Sequence, residues 1–165
     1  MHESFSVGID LGGTRTKMGI VSGGKVVTKR IVAANSAGGL QGYFPVLAEE
    51  INAMIASVGF AKENLTGIGL AFPGIVNAYE KKVLLTNNKY PDAIQVDFTK
   101  WVNENWSVPC ALDNDASMAA VGEWKFGAAN KSDDFVMMTI GTGIGSAAVI
   151  NGKLLRGKHF QAGCF

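Results

Sequence analysis

Asp10-Leu11-Gly12-Gly13-Thr14-Arg15-Thr16-Lys17 is the stretch from which the rest of the chain can be read. An apolar run with strand character, residues 5–9, precedes it, and another, residues 18–21, follows it. The glycines therefore sit at the tip of a hairpin between two strands. A glycine turn needs no Cβ clearance and can present backbone N–H groups inward, as an anion-binding concavity does. Thr14 and Thr16 add hydroxyl donors, Arg15 and Lys17 add positive charge, and Asp10 is the one acid of the cluster. A carboxylate beside phosphate-binding donors makes chemical sense when a divalent cation lies between it and the phosphates.

The same design recurs near the other end of the chain. Residues 135–140 read as a strand, Gly141-Thr142-Gly143-Ile144-Gly145 as the turn and residues 146–150 as the return strand. Both units close with a second turn and a lysine, Gly23-Gly24-Lys25 and Asn151-Gly152-Lys153. One unit written twice suggests two similar domains facing each other across a nucleotide. A dinucleotide fingerprint is excluded, because the third glycine arrives one residue early, at Gly145, and a strand rather than a helix follows. The early turn also lacks the Gly-x-x-x-x-Gly-Lys-Ser/Thr spacing of a Walker loop.

Composition narrows the class. Of 165 residues 47% are hydrophobic and 18% charged, enough to bury a core in one domain, or in one and part of another. Glycine is high, 21 residues, against an average share of ~7%. The net charge of +1 and the lack of a basic run give nucleic-acid binding no electrostatic support. Cys110 and Cys164 show no metal-ligand spacing, and neither a signal peptide nor a long apolar run is seen. A cytoplasmic protein that does not enter a membrane is expected.

In chain order, residues 5–10, 16–21 and 25–33 read as three antiparallel strands. A helix follows over 40–58, starting properly at Pro45, with Val46, Leu47, Ile51, Met54, Ile55 and Val58 on its apolar face and Gly59 at its end. Residues 65–71 read as a buried strand, 72–77 as a loop, 83–86 as a short strand and 87–91 as a polar loop. A helix over 98–106 capped by Asp97, a strand over 108–112 and a helix over 116–126 complete an α/β fold with a mixed sheet. Trp101, Trp106 and Trp124 read as packing residues, and His159 as a loop histidine.

Asp113-Asn114-Asp115 is the best catalytic candidate, because it lies where a strand ends and a helix begins. Helix capping by Asn114 would account for part of it. Asp115 would then stand in the first helical turn, able to accept a proton from a substrate hydroxyl. Gly74 in Phe72-Pro73-Gly74, and the amides Asn87 and Asn88, leave the same sheet, and amide groups suit sugar hydroxyls.

These motifs together resemble the ROK family of sugar kinases and repressors. The run Gly8-Ile9-Asp10-Leu11-Gly12-Gly13-Thr14-Arg15-Thr16-Lys17 resembles its first phosphate motif. Leu112-Asp113-Asn114-Asp115-Ala116 resembles its catalytic segment, and Ile140 to Gly145 with Asn151-Gly152-Lys153-Leu154 its second phosphate motif. Pro73-Gly74-Ile75-Val76 and Thr86-Asn87-Asn88 resemble its sugar-side loops. The resemblance implies the actin-like ATPase fold, in which two ribonuclease-H-like domains close on ATP and a sugar. It implies ATP- and Mg²⁺-dependent phosphorylation of a hexose or N-acetylhexosamine, as in a glucokinase. On that basis Asp115 is the base, while Gly74, Asn114 and one of Asn87 or Asn88 hold sugar hydroxyls. Asp10, Gly12, Gly13, Thr14, Lys17, Gly141, Thr142, Gly143 and Gly145 serve the nucleotide, with Asp10 also assisting the metal.

The chain departs from the family at Ala162-Gly163-Cys164-Phe165, where family kinases usually carry Ala-Gly-Glu-x-Gly-His. Cys164 takes the place of the glutamate that contacts the sugar, and the family's zinc motif is not in the chain. The expectation is a ribonuclease-H-like domain over 1–127, then the first strands of a second, truncated domain over 128–165. An exposed apolar sheet face, a homo-oligomer and weak phosphorylation by the chain alone are expected with it. The alternative is a non-catalytic sugar-sensing regulator of the same family.

Overall fold

The computed structural model of the chain describes residues 4–141 and 143–163. Thr142 and Cys164, both singled out above, lie outside the described residues. Strands β1 (Phe5–Leu11), β2 (Arg15–Ser22) and β3 (Lys25–Ala33) form an antiparallel meander. Two more strands, β4 (Leu65–Phe72) and β7 (Cys110–Asn114), extend it on the other side of β1, both parallel to it. The order β3-β2-β1-β4-β7 makes β1 the centre of a mixed sheet, the ribonuclease-H-like arrangement that the sequence leads one to expect.

The alternation of β1 explains its central place. Phe5, Val7, Ile9 and Leu11 are all buried, and Met18 and Ile20 of β2 and Ile68, Leu70 and Phe72 of β4 continue the same core. Helix α1 (Phe44–Ser57) covers that core with Leu47, Ile51, Met54 and Ile55. Burial of side chains of this size contributes ~1.5–3 kcal/mol each. Pro45 stands in its first turn, where its missing N–H costs nothing, and Gly59 takes φ +70 just past its end. Val46 is 44% exposed, so it lies off the apolar face assigned to it. Helix α2 (Phe98–Trp106) begins at Asp97, whose carboxylate accepts from the Lys100 N–H at 2.8 Å. Trp101 stacks on Phe44 with ring centroids 4.3 Å apart, the packing role expected of it.

Two segments differ from their reading. Residues 75–77 are not loop but strand β5 (Ile75–Asn77), paired with β6 (Lys82–Leu85) in a small separate hairpin. A three-residue strand is too short to leave a periodic pattern. Thr16 is fully buried, on the face of β2 that Met18 and Ile20 also use, and is not exposed at the turn. Period-two alternation along β2 requires that side.

Helix α3 (Asp115–Phe126) follows β7 directly and touches both the first sheet and a second one. This second sheet, order β10-β9-β8, comprises β8 (Phe135–Ile140), β9 (Ile144–Ile150) and β10 (Lys153–Leu154). On β8, Val136, Met138 and Ile140 alternate along one face and are 56%, 57% and 85% exposed, the bare apolar face that was expected.

Candidate active site at the strand ends

Strand register brings the candidate residues together. Asp10 on β1 lies opposite Ala71 on β4, and Ala71 opposite Asp113 on β7. One residue further on, Phe72 lies opposite Asn114. The first glycine turn, the Pro73-Gly74 bend and the Asp113-Asn114-Asp115 corner thus leave the carboxyl ends of three neighbouring parallel strands. Ligands in open α/β sheets bind at such edges.

At the corner, Asn114 has extended backbone angles, φ −63 and ψ 146, and starts α3 as its N-cap. Its side-chain oxygen accepts from the Ser117 N–H at 3.0 Å. Its amide nitrogen donates to the Gly74 carbonyl at 3.0 Å and to Asp115 Oδ1 at 3.1 Å. An aspartate could cap the helix but could not donate, so this position calls for an amide. Both amide donors are committed, which leaves one lone pair of its oxygen for a further donor. Asp115 Oδ1 also accepts the Ala116 N–H at 2.8 Å. Burial raises the Asp115 carboxyl above the usual aspartate range, and the charge of Asp10 adds to this, while the Ala116 N–H and the Lys89 ammonium pull it back.

The first glycine turn is held from beneath by residues that the sequence reading passed over. Tyr90, fully buried, donates its phenol to the Gly12 carbonyl at 2.9 Å. Ser36 donates to the Gly13 carbonyl at 2.7 Å. Lys89 lies over Gly13, where a Cβ would come 2.9 Å from its Cε. A Cβ on Gly12 would meet the Arg15 carbonyl oxygen at 2.4 Å, so the turn itself requires glycine there. Thr14 is exposed at the tip, and Lys17 sits 3.5 Å from Asp10 as a solvent-facing ion pair.

At the Pro73-Gly74 bend, Gly74 is packed so closely that a Cβ would stand 2.1 Å from the Leu85 carbonyl oxygen. Asn87 and Asn88 are exposed and left-handed, with φ 45 and 61, and Tyr90 is also left-handed, with φ 53. Asparagine tolerates this region, whereas tyrosine adopts it against a steric cost. An open groove of about 470 Å³ runs between Ile75, Leu84 and Leu85 of the β5–β6 hairpin and residues 158–161, including the loop histidine His159.

The second glycine turn meets the corner at one point, since a Cβ on Gly145 would lie 3.2 Å from the Ala116 Cβ. Gly141 and Gly143 face open space, and the Gly141 N–H is spent on the Gly143 carbonyl at 2.9 Å.

Among the described residues no cluster of three or more His, Cys, Asp or Glu is placed to hold a metal, and no helix is long and apolar enough to cross a membrane. Cys110 is buried, and burial pushes its thiol up to about 11, far from a reactive thiolate.

The comparisons with known proteins agree with this geometry. The model of the ROK family matches residues 6–164. The chain is 34% identical to a beta-glucoside kinase of Listeria monocytogenes over 94% of its length and 50% of the kinase. It is 33% identical to a xylose repressor of Bacillus subtilis over 68% of its length and 28% of the repressor. Among solved structures, a ROK family glucokinase from Streptomyces griseus in complex with glucose and AMPPNP superimposes with a TM-score of 0.79 at 30% identity, covering 98% of this chain and 49% of that one. The chain spans about half the length of the curated kinases it matches. Its fold is that of the actin-like ATPase kinases, a mixed α/β sheet followed by the first strands of a second sheet. The chain belongs to the ROK family.

Proposed function

We propose that this chain carries the sugar-side half, and the start of the nucleotide-side half, of an ATP-dependent sugar kinase. The acceptor would be a hexose or N-acetylhexosamine. Residues 1–127 would form the first domain and 128–165 the opening strands of the second. The observation that carries this reading is the register Asp10–Ala71–Asp113, which gathers a phosphate-type turn, a sugar-type bend and a buried carboxylate at one sheet edge.

In this reading Asp115 accepts the proton of the acceptor hydroxyl as its oxygen bonds to the γ-phosphorus, and the bond from that phosphorus to the bridging oxygen of ADP breaks. Burial suits Asp115 to the task, because a carboxyl raised from its usual range holds a proton better. Asn114 orients the carboxylate through its amide. Gly74 and one of Asn87 or Asn88 would contact the sugar. Gly12, Gly13, Thr14 and Lys17, joined by Lys89, would face phosphate oxygens, with Gly141, Thr142, Gly143 and Gly145 opposite them. Asp10 fits a magnesium ion, since its carboxylate is half-exposed beside the turn and that ion is usually held by one or two carboxylates plus phosphates. When bound, the ion supplies neutralisation of phosphate charge.

Calorimetric titration of the chain with a panel of hexoses, with and without ATP and Mg²⁺, tests the reading. Binding of one sugar that is strengthened by nucleotide and weakened in Asn87→Ala or Asn88→Ala supports it, and binding of none contradicts it. The likeness to the xylose repressor supports a second reading, a sugar-sensing regulator. Salt-dependent binding to duplex DNA would favour that one.

A further inference from the structure

Asp113 is the middle member of a chain of contacts that runs from the second sheet to Asp115. Its side chain is almost wholly buried, at 9% exposure. Oδ1 accepts the Asn114 N–H at 2.8 Å, and Oδ2 accepts from Arg156 Nη2 at 2.5 Å. Arg156 follows β10, forty-three residues away in sequence. Among the described residues this is the one ion pair that joins the strand ends to the second glycine unit.

The arginine is fixed at its base as well as its tip. The preceding Leu155 N–H donates to the Ala148 carbonyl on β9 at 2.8 Å, and the Arg156 carbonyl accepts the Ala162 N–H at 3.1 Å. Its guanidinium lies 5.7 Å from the ring centroid of Tyr79, in the turn of the β5–β6 hairpin. A planar fork that reaches a carboxylate at one edge and a ring at its face is a task for arginine rather than lysine.

We propose that Arg156 is a positioning residue for the Asp115 carboxylate. It acts through Asp113, which holds the Asn114 backbone, while the Asn114 amide holds Asp115 and Gly74. Asp115 acquires its geometry only when the second unit is docked, which couples the nucleotide-side hairpin to the base. The proposal rests on the reading of Asp115 as the base. Charge supports the same chain. Asp10 from β1, Lys89 from the 86–90 loop and the Ala116 N–H from α3 all act on Asp115. The neighbouring Asp113 charge is met by Arg156.

The test uses the 165-residue chain with Arg156→Met, Arg156→Lys and the double variant Asp113→Asn/Arg156→Met. Nuclear magnetic resonance follows the side-chain amide of Asn114 and the carboxyl titration of Asp115, and neither readout needs turnover. In Arg156→Met the Asn114 amide signals move towards those of a free amide. The Asp115 midpoint moves to higher pH, because an unneutralised carboxylate now stands beside it. Lysine, which keeps the charge but not the fork, brings the midpoint back and leaves the amide signals displaced. The double variant, with no charge at either position, also brings the midpoint back. Should Arg156→Met not fold, the lysine and double variants carry the test. Where the chain makes sugar phosphate, kcat in Arg156→Met falls on the order of a hundredfold with KM for the sugar little changed, as misplacement of a catalytic group does. Unmoved Asn114 signals and an unmoved Asp115 midpoint overturn the proposal. A chain that binds no hexose in the calorimetric titration, yet shows both movements, keeps the positioning chain and removes the kinase reading.

Discussion

The Tyr90 phenol donates to the Gly12 carbonyl at 2.9 Å, and this bond ties the 86–90 loop to the first glycine turn. Lys89, next to Tyr90 in sequence, is thereby held over Gly13. Tyr90→Phe removes the donor and leaves the part-buried Gly12 carbonyl without this partner. A loss of ~1–3 kcal/mol in urea unfolding is expected. Nucleotide affinity should weaken with it, which titration of the same variant measures.

Gly74→Ala should be worse than its size suggests. The new methyl would meet the Leu85 carbonyl oxygen, and backbone cannot yield as a flexible side chain does. A cost of ~1–3 kcal/mol is expected from overpacking. The displaced Gly74 carbonyl also frees the Asn114 amide, so sugar affinity should fall in the same variant. Chemical denaturation and calorimetry on one preparation measure both effects.

Asp115→Asn should stabilise the fold at neutral pH. Burial raises the Asp115 carboxyl, so the folded chain binds its proton more tightly than the unfolded chain does. Stability contributed by this group is therefore complete below the usual aspartate range and declines as pH rises through the raised midpoint. Asparagine keeps an acceptor for the Ala116 N–H without the charge. The melting temperature of Asp115→Asn should exceed that of the wild type at pH 7, and the difference should vanish in acid. The proposed role of Asp115 as the base carries a second expectation, that turnover falls as pH drops through the same midpoint.

The bare face of β8 should drive self-association. Val136, Met138 and Ile140 expose one contiguous apolar row on an edge strand. Sedimentation velocity should show concentration-dependent association of the wild type, and Ile140→Lys should return the chain towards monomer.

Much of this fold is legible in the sequence because its signals are local. Alternation and glycine turns mark β1 to β3, the helical spacing of Leu47, Ile51, Met54 and Ile55 marks α1, and Asp97 marks the start of α2. The corner at Asp113–Asp115 is legible for the same reason, as a strand end that meets a cap. What escapes is set by contacts distant in sequence. Arg156 meets Asp113 and Tyr90 meets Gly12 through tertiary placement alone. The left-handed run at Asn87, Asn88 and Tyr90 turns Lys89 over Gly13, and no local preference of tyrosine announces it. Thr16 is a different case, since strand alternation already places it inward with Met18.

Transfer of labelled γ-phosphate from ATP to a panel of hexoses, compared between the wild-type chain and Asp115→Asn, tests the central claim most directly. The proposed reading predicts weak labelling of one hexose by the wild-type chain and a loss of ~10²–10⁴-fold in the variant. Equal labelling of a sugar by the two chains would contradict it.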